Sequence, residues 1–209
     1  MAVTLKQIKE LREKTGAGVT AVKEALESAK GDFDKAIVYL REKGLAKAVK
    51  RSDKRAEKGF IAHYIHREGT IASMVELNSE TDFAAMNEKF RAIAHDLAVH
   101  VVAMSPEYVA VENVPAEIVE KEKAIALKTI DAKKPKDIIE QIVAGKLQKY
   151  YQEFVLLEQP FYKDEHRKIK DLINELVAAI GERIEVGRFI RVEIGKPATL
   201  ADNLYLRKK

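Results

Sequence analysis

Apolar side chains recur at helical spacing over the first forty-odd residues of this chain. Leu5, Ile8 and Leu11 form one stripe, which Thr4 is placed to cap and which the two glycines of Thr15-Gly16-Ala17-Gly18 break. Val19, Val22, Leu26 and Ala29 form a second stripe that stops at Gly31. Asp32 caps a third, carrying Phe33, Ala36, Ile37 and Leu40, which Gly44 is expected to end. The pattern predicts three short helices in a bundle, a size that is marginal alone.

From Phe60 the period drops to two. Phe60–Ile65 reads as a strand and Arg67-Glu68-Gly69-Thr70 as a turn, with Ile71, Ser73, Val75 and Leu77 on the facing strand of a hairpin. Residues 187–195 alternate Ile190, Val192 and Ile194 against Arg191 and Glu193. They predict a third strand with one buried face, because a hairpin alone is marginal.

Helical spacing returns between these strands. Phe90, Ile93, Ala94, Leu97, Ala98, Val101 and Val102 mark a helix ended by Pro106, and a second runs from about Pro115 to Thr129. Pro135 opens a third with Ile138, Ile139, Ile142 and Val143 inward. Ile169, Leu172, Ile173, Leu176, Val177 and Ile180 make another, stopped by Gly181, whereas aromatic-rich residues 150–164 read as irregular.

The fold class is therefore α+β. A three-helix bundle of the ubiquitin-associated type is expected over 1–44 and a basic linker over 45–58. A core over 59–196 packs a small antiparallel sheet of about three strands against helices. A loosely held tail follows over 197–209, apart from Leu204-Tyr205-Leu206.

Charge sharpens the linker. Lys43, Lys47, Lys50, Arg51, Lys54, Arg55 and Lys58 make it basic, but Asp53 and Glu57 interrupt the run, which favours a solvated connector over an RNA-binding arm. The net charge of the chain is +4, with both signs interleaved, so nucleic acid is not expected as a partner. No apolar run approaches the roughly 18 residues of a membrane helix. The first residues lack a basic segment followed by a long apolar core, so no secretory signal is expected. With no cysteine there is no disulfide and no thiolate chemistry, which fits a cytoplasmic protein.

The sequence offers little covalent chemistry. Gly16-Ala17-Gly18 lacks a following Gly-Lys-Ser/Thr, so no nucleotide is expected to bind this chain directly. His63 and His66 point to opposite faces of a strand, and His95 and His100, five apart, miss the helical i, i+4 geometry. No metal site, cofactor or catalytic triad is expected, and the chain does not read as an enzyme.

One junction stands out. In Glu76-Leu77-Asn78-Ser79-Glu80-Thr81-Asp82-Phe83 a strand gives way to a helix, with Thr81 as a good N-cap and Asp82 favoured by the helix dipole. Phe83 has no such reason to sit in a polar first turn. It either tucks into the core or meets a partner, and the pattern alone leaves both open.

That string resembles the central signature of the translation elongation factor Ts family. Leu11-Arg12-Glu13-Lys14-Thr15-Gly16-Ala17-Gly18-Val19, followed by Lys23-Glu24-Ala25-Leu26, resembles the same family's N-terminal signature. The resemblance implies a guanine nucleotide exchange factor for the GTPase elongation factor Tu, in which the Thr81-Asp82-Phe83 turn enters the partner beside its Mg²⁺ site. It also implies partner contacts from Arg12 and Val19, and from His100, whose alternative reading is a histidine at the core boundary. Having no internal repeat, the chain resembles the short form of the family, without the second subdomain and coiled-coil insertion, and such members form homodimers. One departure is Ala84-Ala85-Met86-Asn87, where the family has Val and then a basic residue, which is expected to remove bulk and charge from the turn.

Overall fold

The computed structural model describes residues 3–15, 17–50, 54–130 and 135–202. Its elements are α1 (Leu5–Thr15), α2 (Val19–Ser28), α3 (Phe33–Lys50), β1 (Lys58–His66), β2 (Ile71–Ser79), α4 (Asp82–Met86), α5 (Glu88–Met104), α6 (Ala116–Lys128), α7 (Lys136–Phe154), β3 (Pro160–Phe161), β4 (Asp164–Lys168), α8 (Ile169–Ile180), β5 (Ile184–Glu193) and β6 (Thr199–Asp202). The fold is α+β, and its main sheet has the order β1-β2-β5-β6. β5 and β6 are antiparallel, with Ile190 opposite Leu200.

The main sheet therefore has four strands among the described residues, one more than expected. Residues 199–202 pair with β5 instead of trailing as a loose tail. Leu204-Tyr205-Leu206 and the Arg51–Asp53 part of the linker lie outside the described residues.

The chain divides into two compact units. The first comprises Met1–Ile61, Leu77–Ala94 and Lys170–Glu185. In it, Thr4 and Gln7 cap α1 reciprocally: the Thr4 N–H donates to Gln7 Oε1 at 2.9 Å and the Gln7 N–H to Thr4 Oγ1 at 3.3 Å. Leu11, Val22, Ala25, Leu26 and Ala36 form the bundle core, whereas Leu5, read as part of that stripe, is exposed. Gly31, at φ +87°, closes α2 by donating to the Leu26 carbonyl at 2.8 Å.

α3 does not end at Gly44 but runs on to Lys50. A Cβ at Gly44 would stand 2.9 Å from Ala178 Cβ and 3.2 Å from the Asn174 carbonyl. This glycine marks where α3 lies close against α8, and its missing side chain is a packing requirement, not a stop signal. Arg41 in α3 also pairs with Glu175 in α8 at 3.2 Å.

The second unit comprises Ala62–Glu76, His95–Ile169 and Val186–Lys209. On its inner sheet face Ser73 and Val75 are buried, and Ser73 Oγ donates to the Ala98 carbonyl in α5 at 2.7 Å. On β5 the buried face is not the one that carries Val192 and Ile194. Phe189 takes the inner side, on the same face as Arg191 and Glu193, whose charges pair at 2.8 Å. Val192 and Ile194 consequently face outward, and Ile194 is 74% exposed. α6 packs against α7. Residues 150–164 are more regular than expected: Tyr150–Phe154 is the last turn of α7, and residues 160–168 form the β3–β4 hairpin.

Candidate partner-binding turn

The site is built by the end of β2, the five-residue helix α4 and the turn that follows α8, all in the first unit. A helix of five residues has no stability of its own. Its start is fixed by its cap and by tertiary hydrogen bonds. Thr81 is the N-cap, its Oγ1 accepting from the Ala84 N–H at 3.3 Å. The same hydroxyl donates to Glu182 Oε1 at 2.7 Å, and the Thr81 N–H donates to Glu182 Oε2 at 3.0 Å. Beside it the Arg183 N–H donates to Glu80 Oε1 at 2.6 Å, and Ser79 Oγ donates to the Thr81 carbonyl at 2.9 Å. At the other end Arg91 Nε donates to the Ala85 carbonyl at 3.1 Å while its guanidinium lies 5.2 Å from the centre of the Phe60 ring.

The inner side of α4 is Ala84 and Ala85, both buried. Small residues there let so short a helix lie close to the core. The outer side is Phe83, 85% exposed, with Met86 at 63%. Three residues apart on a helix, these two share a face. Met86, within the stretch expected to lose bulk, thus places a second exposed apolar side chain beside Phe83. Asp82 is exposed and stands 3.8 Å from Lys58, an ion pair open to water and correspondingly weak.

Arg12 and Val19 come together in the same unit. With Leu5, Ile8, Lys9 and Glu13 they line a shallow groove of about 480 Å³ between α1 and the start of α2. Val19 is half-exposed, not core. Lys89, in the first turn of α5, donates to the Thr15 carbonyl at 2.6 Å. This ties the end of α1 to the helix that follows α4.

His100 is placed differently. In the second unit its ring is fully buried, with Nδ1 accepting from the Tyr162 N–H at 3.4 Å and Nε2 at 2.9 Å from Gln159 Oε1. The acceptor role of Nδ1 puts the proton on Nε2, which then donates to Gln159. The Gln159 amide in turn donates to the Met104 and Glu153 carbonyls at 3.2 and 2.7 Å. Burial drives the His100 pKa down to about 4, against the hydrogen bond it donates to Gln159, which raises it. In this conformation His100 is a buried histidine with both ring nitrogens satisfied, the arrangement of its alternative reading as a core histidine.

Sequence reasoning missed Glu182, Glu80, Met86 and Gln159. An acidic residue straight after the helix-ending Gly181 was a weak signal for the first. Gln159 gave none. Among the described residues no cluster of side chains could hold a metal ion, and no helix is long and apolar enough to cross a membrane.

A family model described as Elongation factor TS matches residues 2–196. The protein named Elongation factor Ts from Thermodesulfovibrio yellowstonii is 51% identical over 196 residues, covering 94% of this chain and 98% of that protein. The one from Moorella thermoacetica is 52% identical over 190 residues, covering 90% and 94%. That from Fervidobacterium nodosum is 47% identical over 197 residues, covering 94% of this chain and the whole of its own length. Both signature segments fall within the matched residues, and the chain belongs to the elongation factor Ts family.

Proposed function

We propose that this chain is a guanine nucleotide exchange factor for elongation factor Tu, and that it promotes GDP release by inserting the Thr81-Asp82-Phe83 turn near the partner's Mg²⁺ site. The observation that carries the reading is the exposed Phe83 ring on a turn whose base is pinned by Glu182. Phe83, 85% open to water, and Met86 at 63% together make an exposed apolar patch on a fixed turn, which a partner can cover.

Exchange needs no covalent chemistry from the factor, so the chain acts without being an enzyme in the usual sense. It must bind the empty GTPase more tightly than the loaded one, and linkage then weakens the nucleotide by the same factor. A weakening of about 10⁴ requires about 5.5 kcal/mol of differential contact. Burying Phe83 supplies roughly 1.5–3 kcal/mol. Met86, Asp82, and the Arg12–Val19 groove supply further contact, and displacing a Mg²⁺ ligand costs the partner its near-octahedral site.

A homodimer is part of the proposal, and cytoplasmic location goes with it. Ile65, Met74, Val192, Ile194 and Leu200 leave an apolar outer face on the sheet of the second unit, crossed by the Glu76–Arg188 pair at 2.6 Å. A second copy of that sheet is its natural cover, since each protomer brings the same stripe and each carboxylate can meet the other's guanidinium. The two-domain-plus-linker division at residues 44 and 58 stays part of the same reading, with residues 1–44 as the module that carries the groove. The RNA-binding alternative gains no support from the linker: Lys43, Arg55 and Lys58 are engaged by Glu24, Glu57 and Asp82.

The test is release of fluorescent GDP from elongation factor Tu with and without this protein. Acceleration by the intact chain and its loss in Phe83→Ala support the reading. RNA affinity that falls steeply with salt, together with no effect on GDP release, would favour the alternative.

A further inference from the structure

We infer that Glu182 is a positioning residue for the exchange turn, holding Phe83 in its outward pose by a two-point clasp on Thr81. The inference rests on the reading of Phe83 as the inserted side chain.

The clasp is reciprocal. Glu182 accepts twice from Thr81, from the backbone N–H and from the hydroxyl, while Glu80 accepts the backbone N–H of Arg183. Two consecutive residues of one turn thus grip two consecutive residues of the other. The second turn is itself anchored. Gly181 takes φ +84°, a conformation other residues resist, to reverse the chain after α8. The Arg183 guanidinium pairs with Glu185 through Nε at 2.6 Å and Nη2 at 2.5 Å, and donates through Nη1 to the Lys54 carbonyl.

The grip falls at the point where it matters. α4 is too short to hold itself, and its only residues with apolar burial are two alanines. The Thr81 hydroxyl links the clasp to the helix, accepting from Ala84 while donating to Glu182. Without Glu182 the Thr81 N–H and hydroxyl turn to water, the cap loses its fixed rotamer, and Phe83 samples poses that do not fit a partner. Ordering it then falls to the binding step, which weakens productive association.

The experiment compares the full-length chain with Glu182→Ala, Glu182→Gln, Phe83→Ala and the double variant Glu182→Ala/Phe83→Ala. Stimulated release of fluorescent GDP is read across factor concentrations, with a thermal melt of each. Glu182→Ala is expected to lower the efficiency of stimulation about tenfold, the equivalent of one charge-assisted hydrogen bond. Glu182→Gln, keeping one acceptor, falls in between. Amide exchange at Ala84 and Ala85 rises in Glu182→Ala but not in Phe83→Ala. In the Phe83→Ala background Glu182→Ala is expected to add nothing, because there is no ring left to position. Full activity of Glu182→Ala beside a slow Phe83→Ala overturns the clasp alone, as does an equal loss in both backgrounds. A fully active Phe83→Ala overturns the wedge reading and this inference with it. If Glu182→Ala melts early, Glu182→Gln, which keeps one acceptor for Thr81, is judged by the same criteria.

Discussion

Lys89 reaches from the first turn of α5 to the carbonyl of Thr15, 74 residues earlier, at 2.6 Å. The bond joins the first signature segment to the helix that follows the second: Thr15 ends the helix that carries Arg12, and Lys89 lies in the first turn of α5, after Phe83 and α4. A charge-assisted bond at such a junction is worth on the order of 1–2 kcal/mol. Its consequence is geometric, since it ties the end of α1, beside the Arg12–Val19 groove, to the helix that follows α4 within one unit.

Lys89→Met is expected to loosen that junction and little else. Amide exchange at Ala17 and in the first turn of α2 should rise about tenfold, while the β2 and α5 core amides keep their protection. Uniform loss of protection across the first unit would show instead that the lysine holds up the whole fold.

Gly44→Ala should destabilise even though alanine is the better helix former by about 1 kcal/mol. The added methyl meets Ala178 at 2.9 Å, and overpacking of this kind costs about 1–3 kcal/mol. Denaturant midpoints measure it, and Ala178→Gly in the same chain should recover part of the loss. A stabilised Gly44→Ala would mean that α3 and α8 are not held at this distance.

His100 should make stability depend on pH. Its folded pKa, about 4, lies below the ordinary value of 6.5, so the unfolded chain binds the proton first. The stabilisation is complete above pH 6.5, falls as the pH drops toward 4, and amounts to at most about 3 kcal/mol. Urea midpoints at several pH values for the wild type and for His100→Phe/Gln159→Leu isolate the contribution in the pH slope, because the double variant removes the titrating ring, while the Tyr162 N–H and the Met104 and Glu153 carbonyls it leaves behind do not titrate. Equal pH slopes in the two proteins would contradict it.

Ile194→Lys, on the outer face of β5, is expected to leave the monomer fold intact and to shift the sedimentation mass from two chains to one. Exposure of the isoleucine in the single chain makes its loss nearly neutral for folding. Wild-type protein that sediments as one chain would remove the dimer from the proposal.

The legible parts of this fold are those set by local rules. The α5 stripe from Phe90 to Val102, the hairpin at Arg67–Gly69 and the Thr81 cap all follow from period, turn chemistry and side-chain oxygens close in sequence. What stayed hidden depends on contacts across the chain. Gly44 looks like a stop until Ala178 is beside it. An alternating strand such as β5 announces two faces but not which one the core takes, and Phe189 decided it by bulk. Glu182 lies 101 residues from the threonine it holds, and no pattern in either segment links them. His100 read as either a partner contact or a boundary residue, because Gln159, its buried partner, comes from a stretch without periodicity.

The most direct measurement is the rate of GDP release from elongation factor Tu driven by Phe83→Ala, with the melting temperature of the variant measured alongside. An exposed ring contributes nothing to the fold, so the melt should shift by no more than about 2 °C. Release should slow about ten- to hundredfold, the range implied by one buried phenylalanine at the interface. A variant that melts like the wild type and still drives release at the wild-type rate would contradict the insertion of Phe83 into the partner.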